Sequence, residues 1–231
     1  MRILITGCAG FIGYSLSTYL LKKKIKVFGI DNLNSVYDLK LKKDRLKNLQ
    51  KNRNFKFFKI DIRNKEKLNQ NFLINNYTHV INLAAVAGVR KSIKNPNSYF
   101  KNNVNGFFNI IETSKNFKIR HFIYASSSSV YGNSKIYPVK EKNLTDQPES
   151  FYASTKKINE IISYSYSGIY NLPCTGLRFF TVYGPWGRPD MALFKFVNNI
   201  LNNKKIDLFN YGNHFRDFTY IDDVVECVYR L

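Results

Sequence analysis

The stretch that decides the fold is Arg2-Ile3-Leu4-Ile5-Thr6-Gly7-Cys8-Ala9-Gly10-Phe11-Ile12-Gly13. Arg2–Thr6 reads as a strand, and the apolar periodicity from Phe11 to Lys23 reads as a helix. The first glycine, Gly7, permits a tight turn. Gly10 lets backbone approach a pyrophosphate, and Gly13 lets the helix pack close to the sheet. Donors at the helix N-terminus, with Phe11 and Ile12 in its first turn, then face the phosphates. Asp31 closes the next apolar run, 18 residues beyond Gly13. A carboxylate there accepts both ribose hydroxyls and repels a 2′-phosphate, so the expected cofactor is NAD.

Working outward, short apolar runs alternate with helical patterns. Further strands are predicted at Lys26–Ile30, Lys56–Ile60, His79–Leu83, His121–Ala125 and Cys174–Phe179. Helices are predicted at Asp38–Lys51, Lys65–Asn75, Asn97–Asn116 and Tyr152–Ser167. Such alternation implies an α/β fold, a doubly wound parallel sheet of the Rossmann type, over residues 1–180. From residue 181 to 231 the pattern changes. Thr181–Pro189 reads as an ordered loop, Asp190–Asn202 as a helix, Lys205–Phe209 and Asp217–Tyr220 as strands, and Asp222–Leu231 as a helix. The chain stops inside that helix, so 181–231 is expected to be part of a smaller C-terminal substrate domain.

Three more positions fall at strand ends. Asp61-Ile62 closes the third strand, where the adenine edge lies, although Asp61 also suits a helix cap. Asn32 adjoins Asp31 on the same edge. Ala84-Ala85 ends the fourth strand, as a surface for ribose and phosphate or as core packing. Tyr152-Ala153-Ser154-Thr155-Lys156 opens a helix, and i, i+4 spacing puts Tyr152 and Lys156 on one face. An adjacent ammonium is expected to lower the tyrosine pKa from about 10 toward neutrality, which makes Tyr152 an acid/base for an alcohol. Lys156 can also reach the nicotinamide ribose. The run Ser126-Ser127-Ser128-Ser129 ends the fifth strand, and any of its hydroxyls can polarise a reacting oxygen.

The 231 residues carry a net charge of +20, yet the lysines are spread over helix faces and loops, as in Lys22-Lys23-Lys24. Solvated surface charge together with attraction of an anionic substrate accounts for this better than a nucleic-acid partner, which would gather the charge into one arm or helix. Cys8, Cys174 and Cys227 are scattered and odd in number. They form no disulfide framework or metal site, so no metal is expected and a cytoplasmic location is. No apolar run reaches the length of a membrane span.

Together, Gly7 to Gly13, Asp31, Asp61-Ile62, Ala84-Ala85, the serine run before Val130-Tyr131-Gly132, and Tyr152-x-x-x-Lys156 resemble the extended short-chain dehydrogenase/reductase family. Ala87-Gly88-Val89-Arg90 and the stretch Leu177-Arg178-Phe179-Phe180-Thr181-Val182-Tyr183-Gly184-Pro185-Trp186-Gly187-Arg188-Pro189-Asp190-Met191-Ala192 are similar to the UDP-glucuronate 4-epimerases within it. The resemblance implies tightly bound NAD, a UDP-sugar substrate and a homodimer built on helices such as Asn97–Asn116 and Tyr152–Ser167. It implies a catalytic hydroxyl at Ser127, with Ser129 the nearest alternative, beside Tyr152 and Lys156. Arg90, Ser127, Ser128, Thr181, Arg188 and Arg216 become the expected substrate contacts, with Arg216 on the diphosphate and Thr181 and Arg188 on the sugar carboxylate. Related dehydratases carry Asp-Glu at Ser128-Ser129, and related decarboxylases a Glu at Ser129; hydroxyls alone favour epimerisation. Val86 and Lys91 depart from the common Gln and Tyr. The alternatives are a 4-epimerase of neutral UDP-sugars and an inactive, truncated NAD-binding module.

Overall fold

The structure is a computed structural model that describes every residue except Val36, Phe209 and His214. Its centre is a six-stranded sheet built from β1 (Arg2–Thr6), β2 (Lys26–Asp31), β3 (Phe55–Lys59), β4 (His79–Asn82), β5 (His121–Ala125) and β6 (Cys174–Leu177). The strand order is β3-β2-β1-β4-β5-β6, and every pairing is parallel. The order reverses between β1 and β4, which opens a crevice at their carboxyl ends. Parallel strands buried on both faces need apolar runs, and Leu4, Ile5, Val27, Ile30 and Val80 are all fully buried.

Helices cover both faces. On one lie α1 (Phe11–Lys22), α2 (Leu39–Gln50) and α9 (Ile221–Arg230); Leu16, Leu20, Leu46, Leu49, Val224 and Val228 pack there against Ile3, Ile5 and Val27. On the other lie α3 (Lys65–Asn75), α6 (Gly106–Asn116) and α7 (Phe151–Tyr170), where Leu68, Phe72, Phe107, Ile110 and Tyr166 pack against Leu4, Val80 and Phe122. The remaining helices are α4 (Val89–Lys94), α5 (Pro96–Tyr99) and α8 (Ala192–Leu201). The last helix therefore joins the core of the first 180 residues. Beside it, β7 (Thr181–Tyr183) and β8 (Phe218–Tyr220) form a separate parallel pair.

The alternation predicted from the sequence is present, with corrections. The single helix expected over Asn97–Asn116 is α5, a π-helical turn at Phe100–Asn105, and α6. That turn swings Asn103 inward to hold both backbone groups of Val86, at 2.8 and 2.9 Å. Thr181–Tyr183, expected as loop, is strand because it finds β8. Lys205–Leu208, expected as strand, pairs in neither sheet and is exposed except for the half-buried Ile206, and Phe209 lies outside the described residues. β6 ends at Leu177 rather than Phe179, although the Phe179 carbonyl still accepts the Ser128 N–H at 2.9 Å before the chain after β5 turns into a 3-10 helix at Ser128–Tyr131. α8 starts at Ala192 rather than Asp190, whose carboxylate is taken by Arg188.

Candidate active site

The carboxyl ends of the strands surround a cavity of about 470 Å³. Its floor is the glycine loop. Gly7 sits at φ +70°, where a side chain is strained. A Cβ on Gly13 would stand 2.2 Å from the Gly7 carbonyl oxygen. The helix thus starts close against the strand, and its N-terminus opens into the cavity through Gly10, Phe11 and Ile12. This cradle, with the Asp31 carboxylate at its rim, fits a dinucleotide.

Asp31 is buried. It accepts from the Ala9 N–H at 3.2 Å and the Leu33 N–H at 2.8 Å. A lysine that sequence reasoning did not single out faces it: Lys42 Nζ stands 3.8 Å from Asp31 Oδ1 and donates to Asn34 Oδ1 at 2.6 Å. Burial lowers the Lys42 pKa, and Asp31 opposes that shift. The carboxylate is therefore partly compensated at the ribose edge. Asn32 and Ile62 line the cavity. Asp61 does not line it; it binds Asn32 Nδ2 at 2.9 Å and the Arg63 fork at 2.9 and 2.7 Å. Arg63 and Asn32 together hold the Asp61 pKa at about 2. Ala84 and Ala85 line the wall, and Thr6 Oγ1 fixes Ala84 by accepting its N–H at 3.1 Å.

Tyr152 and Lys156 enter from the first turns of α7. Ser150 caps that helix, its hydroxyl accepting the Ala153 N–H at 3.1 Å. Lys156 is 4% exposed. Its ammonium donates to the Ala125 carbonyl at 2.7 Å and lies 5.9 Å from the Tyr152 ring centre. Burial brings the Lys156 pKa down to about 8 and pushes that of Tyr152 up. The phenolate-stabilising ammonium expected from spacing is thus not what this arrangement delivers by itself. Desolvation is the largest influence on both groups. Two neighbours oppose the shift on Tyr152: a hydrogen bond with Ser127 and the charge of Arg188.

The four serines separate in space. Ser126 donates to Glu160 Oε1 at 2.6 Å, and Glu160 is gripped by Arg178 through two contacts of 2.9 Å. Ser127 is the serine placed against the Tyr152 hydroxyl. It donates to Ser129 Oγ at 3.1 Å. Ser128 and Ser129 follow on the 3-10 turn, and all four line the cavity. Thr181, at the start of β7, and Arg188 also line the cavity. Arg90 and Arg216 are not brought to it. Arg90 is on the exposed side of α4, and Arg216 is exposed in the segment before β8, its guanidinium turned to the Phe215 carbonyl at 2.8 Å.

Sequence reasoning also missed Arg45, which has no exposed surface. From α2 it donates to the Ala9 carbonyl at 3.0 Å, the Tyr37 hydroxyl at 2.7 Å, the Gly187 carbonyl at 3.1 Å, and the Trp186 carbonyl. It ties the glycine loop to the loop that carries Arg188. Among the described residues no cluster of His, Cys, Asp or Glu suits a metal ion, and no helix is long and apolar enough to cross a membrane.

Residues 3–231 match the family model described as the NAD dependent epimerase/dehydratase family. Protein CapI of Staphylococcus aureus is 53% identical over 231 residues, covering all of this chain and 69% of that protein. UDP-glucuronate 4-epimerase 4 of Arabidopsis thaliana is 48% identical over 230 residues, covering 98% of this chain and 52% of the plant protein. Among solved structures, the UDP-glucuronic acid 4-epimerase of Bacillus cereus in complex with UDP-glucuronic acid and NAD superposes with a TM-score of 0.93. It is 38% identical, over 99% of this chain and 72% of that one.

Proposed function

From the premise that the chain belongs to the NAD dependent epimerase/dehydratase family, we propose that it catalyses 4-epimerisation of a UDP-sugar, UDP-glucuronate to UDP-galacturonate. The observation that carries this reading is one cavity in which the glycine cradle, Tyr152 with Ser127, and Arg188 converge. Relatives named for this reaction, and a bound complex with that sugar nucleotide and NAD, support it.

The residues that would hold NAD are Gly7, Gly10, Phe11, Ile12 and Gly13 at the pyrophosphate, Asp31 and Asn32 at the adenosine ribose, Ile62 at the adenine, Ala84 and Ala85 along the wall, and Lys156 at the far ribose. When bound, NAD supplies a reversible hydride acceptor for C4 of the sugar. Tyr152 takes and returns the proton of the 4-hydroxyl. Ser127, whose single O–H is on Ser129 in the free site, turns it to the sugar oxygen beside Tyr152, which keeps the proton's path short. Ser128 and Ser129 line the sugar's side of the turn. At the ketone level a glucuronate is a β-keto acid, which loses carbon dioxide when its carboxylate bond aligns with the carbonyl π system. Arg188 and Thr181 hold the carboxylate out of that alignment. A guanidinium fork suits this role because it fixes direction as well as charge.

Two further readings accompany this one. We expect a homodimer through α6 and α7, whose outer faces leave Phe108, Ile161 and Tyr164 exposed. The three unpaired cysteines favour a reducing, cytoplasmic setting. The reaction is tested by incubating the full-length protein with UDP-glucuronate and NAD and separating products by anion-exchange chromatography. UDP-galacturonate is the expected product, and Tyr152→Phe should lower its rate by about 10² or more while NAD stays bound. No UDP-galacturonate from the NAD-loaded wild type would overturn the reading.

A further inference from the structure

Arg188 is not held by the cavity wall alone. Its Nε donates to Asp190 Oδ1 at 3.0 Å and its Nη2 to Asp190 Oδ2 at 2.7 Å. This is a two-point fork across a single intervening residue. Asp190 Oδ2 also stands 3.7 Å from Lys91 Nζ, on α4. The Asp190 carboxylate therefore joins the loop after β7 to the helix after β4. Arg188 lines the cavity, and Asp190 does not. The carboxylate sits on the side of the guanidinium away from the ligand space.

A guanidinium has five N–H donors in a rigid plane. With Nε and one Nη2 hydrogen engaged by Asp190, the Nη1 pair and the second Nη2 hydrogen remain. Those form the adjacent end-on edge of the guanidinium, about 120° around the same plane, which is the geometry a second carboxylate needs for two-point binding. An arginine without such a partner would have four free side-chain torsions and would lose them on binding. Resting on the reading that Arg188 takes the sugar carboxylate, we propose that Asp190 is a positioning residue that sets selectivity for acidic over neutral UDP-sugars. It fixes the guanidinium plane from behind and presents its free edge to the substrate. It does not compete for that edge, because it occupies the other one. Lys91 anchors Asp190 in turn, so the positioning extends to α4 at the cavity mouth.

The test compares wild type, Asp190→Asn, Arg188→Met and the double variant in the full-length, NAD-loaded protein. UDP-glucuronate is measured as substrate, and UDP-glucose as a competing ligand through its inhibition constant. Asp190→Asn keeps the side-chain shape and removes the charged fork. It should raise KM for UDP-glucuronate by about tenfold, the scale of a misplaced binding group, with kcat and the UDP-glucose constant changed less than about twofold. In the Arg188→Met background, Asp190→Asn should add nothing. An Asp190→Asn variant that weakens both sugars equally shows a merely structural residue and overturns the proposal. One that lowers KM for UDP-glucuronate shows a competitor and overturns it too. If Arg188→Met leaves the ratio of acidic to neutral affinity intact, the premise about Arg188 fails and the proposal falls with it. If Arg188→Met changes that ratio and Asp190→Asn does not, the proposal fails alone.

Discussion

Replacing Arg45 by methionine should loosen two loops at once. The side chain is fully buried and donates to acceptors on three segments: Ala9, Tyr37, and the pair Trp186 and Gly187. Each acceptor that loses its donor in a dry setting costs about 1–3 kcal/mol. Removing a buried guanidinium also returns several kcal/mol of desolvation cost, so the net loss is about 2–4 kcal/mol. At this chain length that lowers Tm by about 5–15 °C. The assay is built in, because Trp186 is the sole tryptophan and its ring packs 5.4 Å from Tyr14 on α1. Arg45→Met should shift the tryptophan emission to the red as the loop opens to water. NAD affinity by calorimetry should fall about tenfold, since the Ala9 carbonyl loses its anchor. Arg45→Lys keeps the charge but offers one nitrogen, which cannot span three segments, and should fall between the two. A methionine variant that melts within 2 °C of wild type, with unchanged emission and unchanged NAD affinity, would refute the reasoning (limits of about the measurement error).

Two other outcomes follow from the same geometry. Gly13→Ala puts a Cβ 2.2 Å from the Gly7 oxygen and 2.9 Å from the Gly7 carbon, both backbone atoms that cannot step aside. The helix must back away from the strand, at about 1–3 kcal/mol, and calorimetric NAD binding should vanish; retained binding would show that the loop tolerates the shift. Lys156 gives a pH signature. Its pKa is about 8 in the folded chain against 10.5 ordinarily. Between those values the unfolded chain keeps a proton that the folded chain has lost, so stability rises with pH across pH 8 to 10.5. Below pH 8 both states are protonated and the burial penalty is present in full. Urea unfolding of wild type and Lys156→Met should therefore diverge, the wild type gaining about 3 kcal/mol relative to the variant across that window. A constant difference would mean that Lys156 is not desolvated.

What the sequence disclosed, and what it hid, divides along contact distance. The glycine spacing, the β2 acid and the i, i+4 pair of Tyr152 and Lys156 are local patterns, and the physics that selects them acts within a turn. The sheet was legible because each strand is a short apolar run between helical periods. Arg45 was invisible because it sits three positions from Lys42 on a helix read as charged, and its partners Trp186 and Gly187 lie more than 140 residues away. The π-helical turn at Phe100–Asn105 adds a fraction of a turn, which apolar periodicity cannot resolve. β7 is three residues long in a stretch full of Gly and Pro, and only its pairing with β8 makes it a strand. Arg216 was placed by motif, whereas in the fold it stands exposed in the segment before β8.

The charges around the cavity explain how one site can serve an acidic sugar and still work a tyrosine. Burial raises the Tyr152 pKa, and of the groups opposing it one is a hydroxyl, Ser127, and the other a cation, Arg188. A carboxylate seated on Arg188 cancels most of that cation's field at Tyr152. On the proposed role of Arg188, an acidic substrate withdraws one of the two aids to ionisation at the moment it binds. The Ser127 hydrogen bond must then carry more of the proton transfer, and it survives because it does not depend on charge. Asp190 already balances part of the Arg188 charge in the free site, at 2.7 Å. The field that Arg188 lends to Tyr152 is therefore already reduced before a substrate binds, and the substrate's carboxylate adds its own negative potential to it. On the proposed roles, the Asp190 fork and the substrate carboxylate both offset the Arg188 charge, which leaves the Ser127 hydroxyl as the main aid to Tyr152 ionisation.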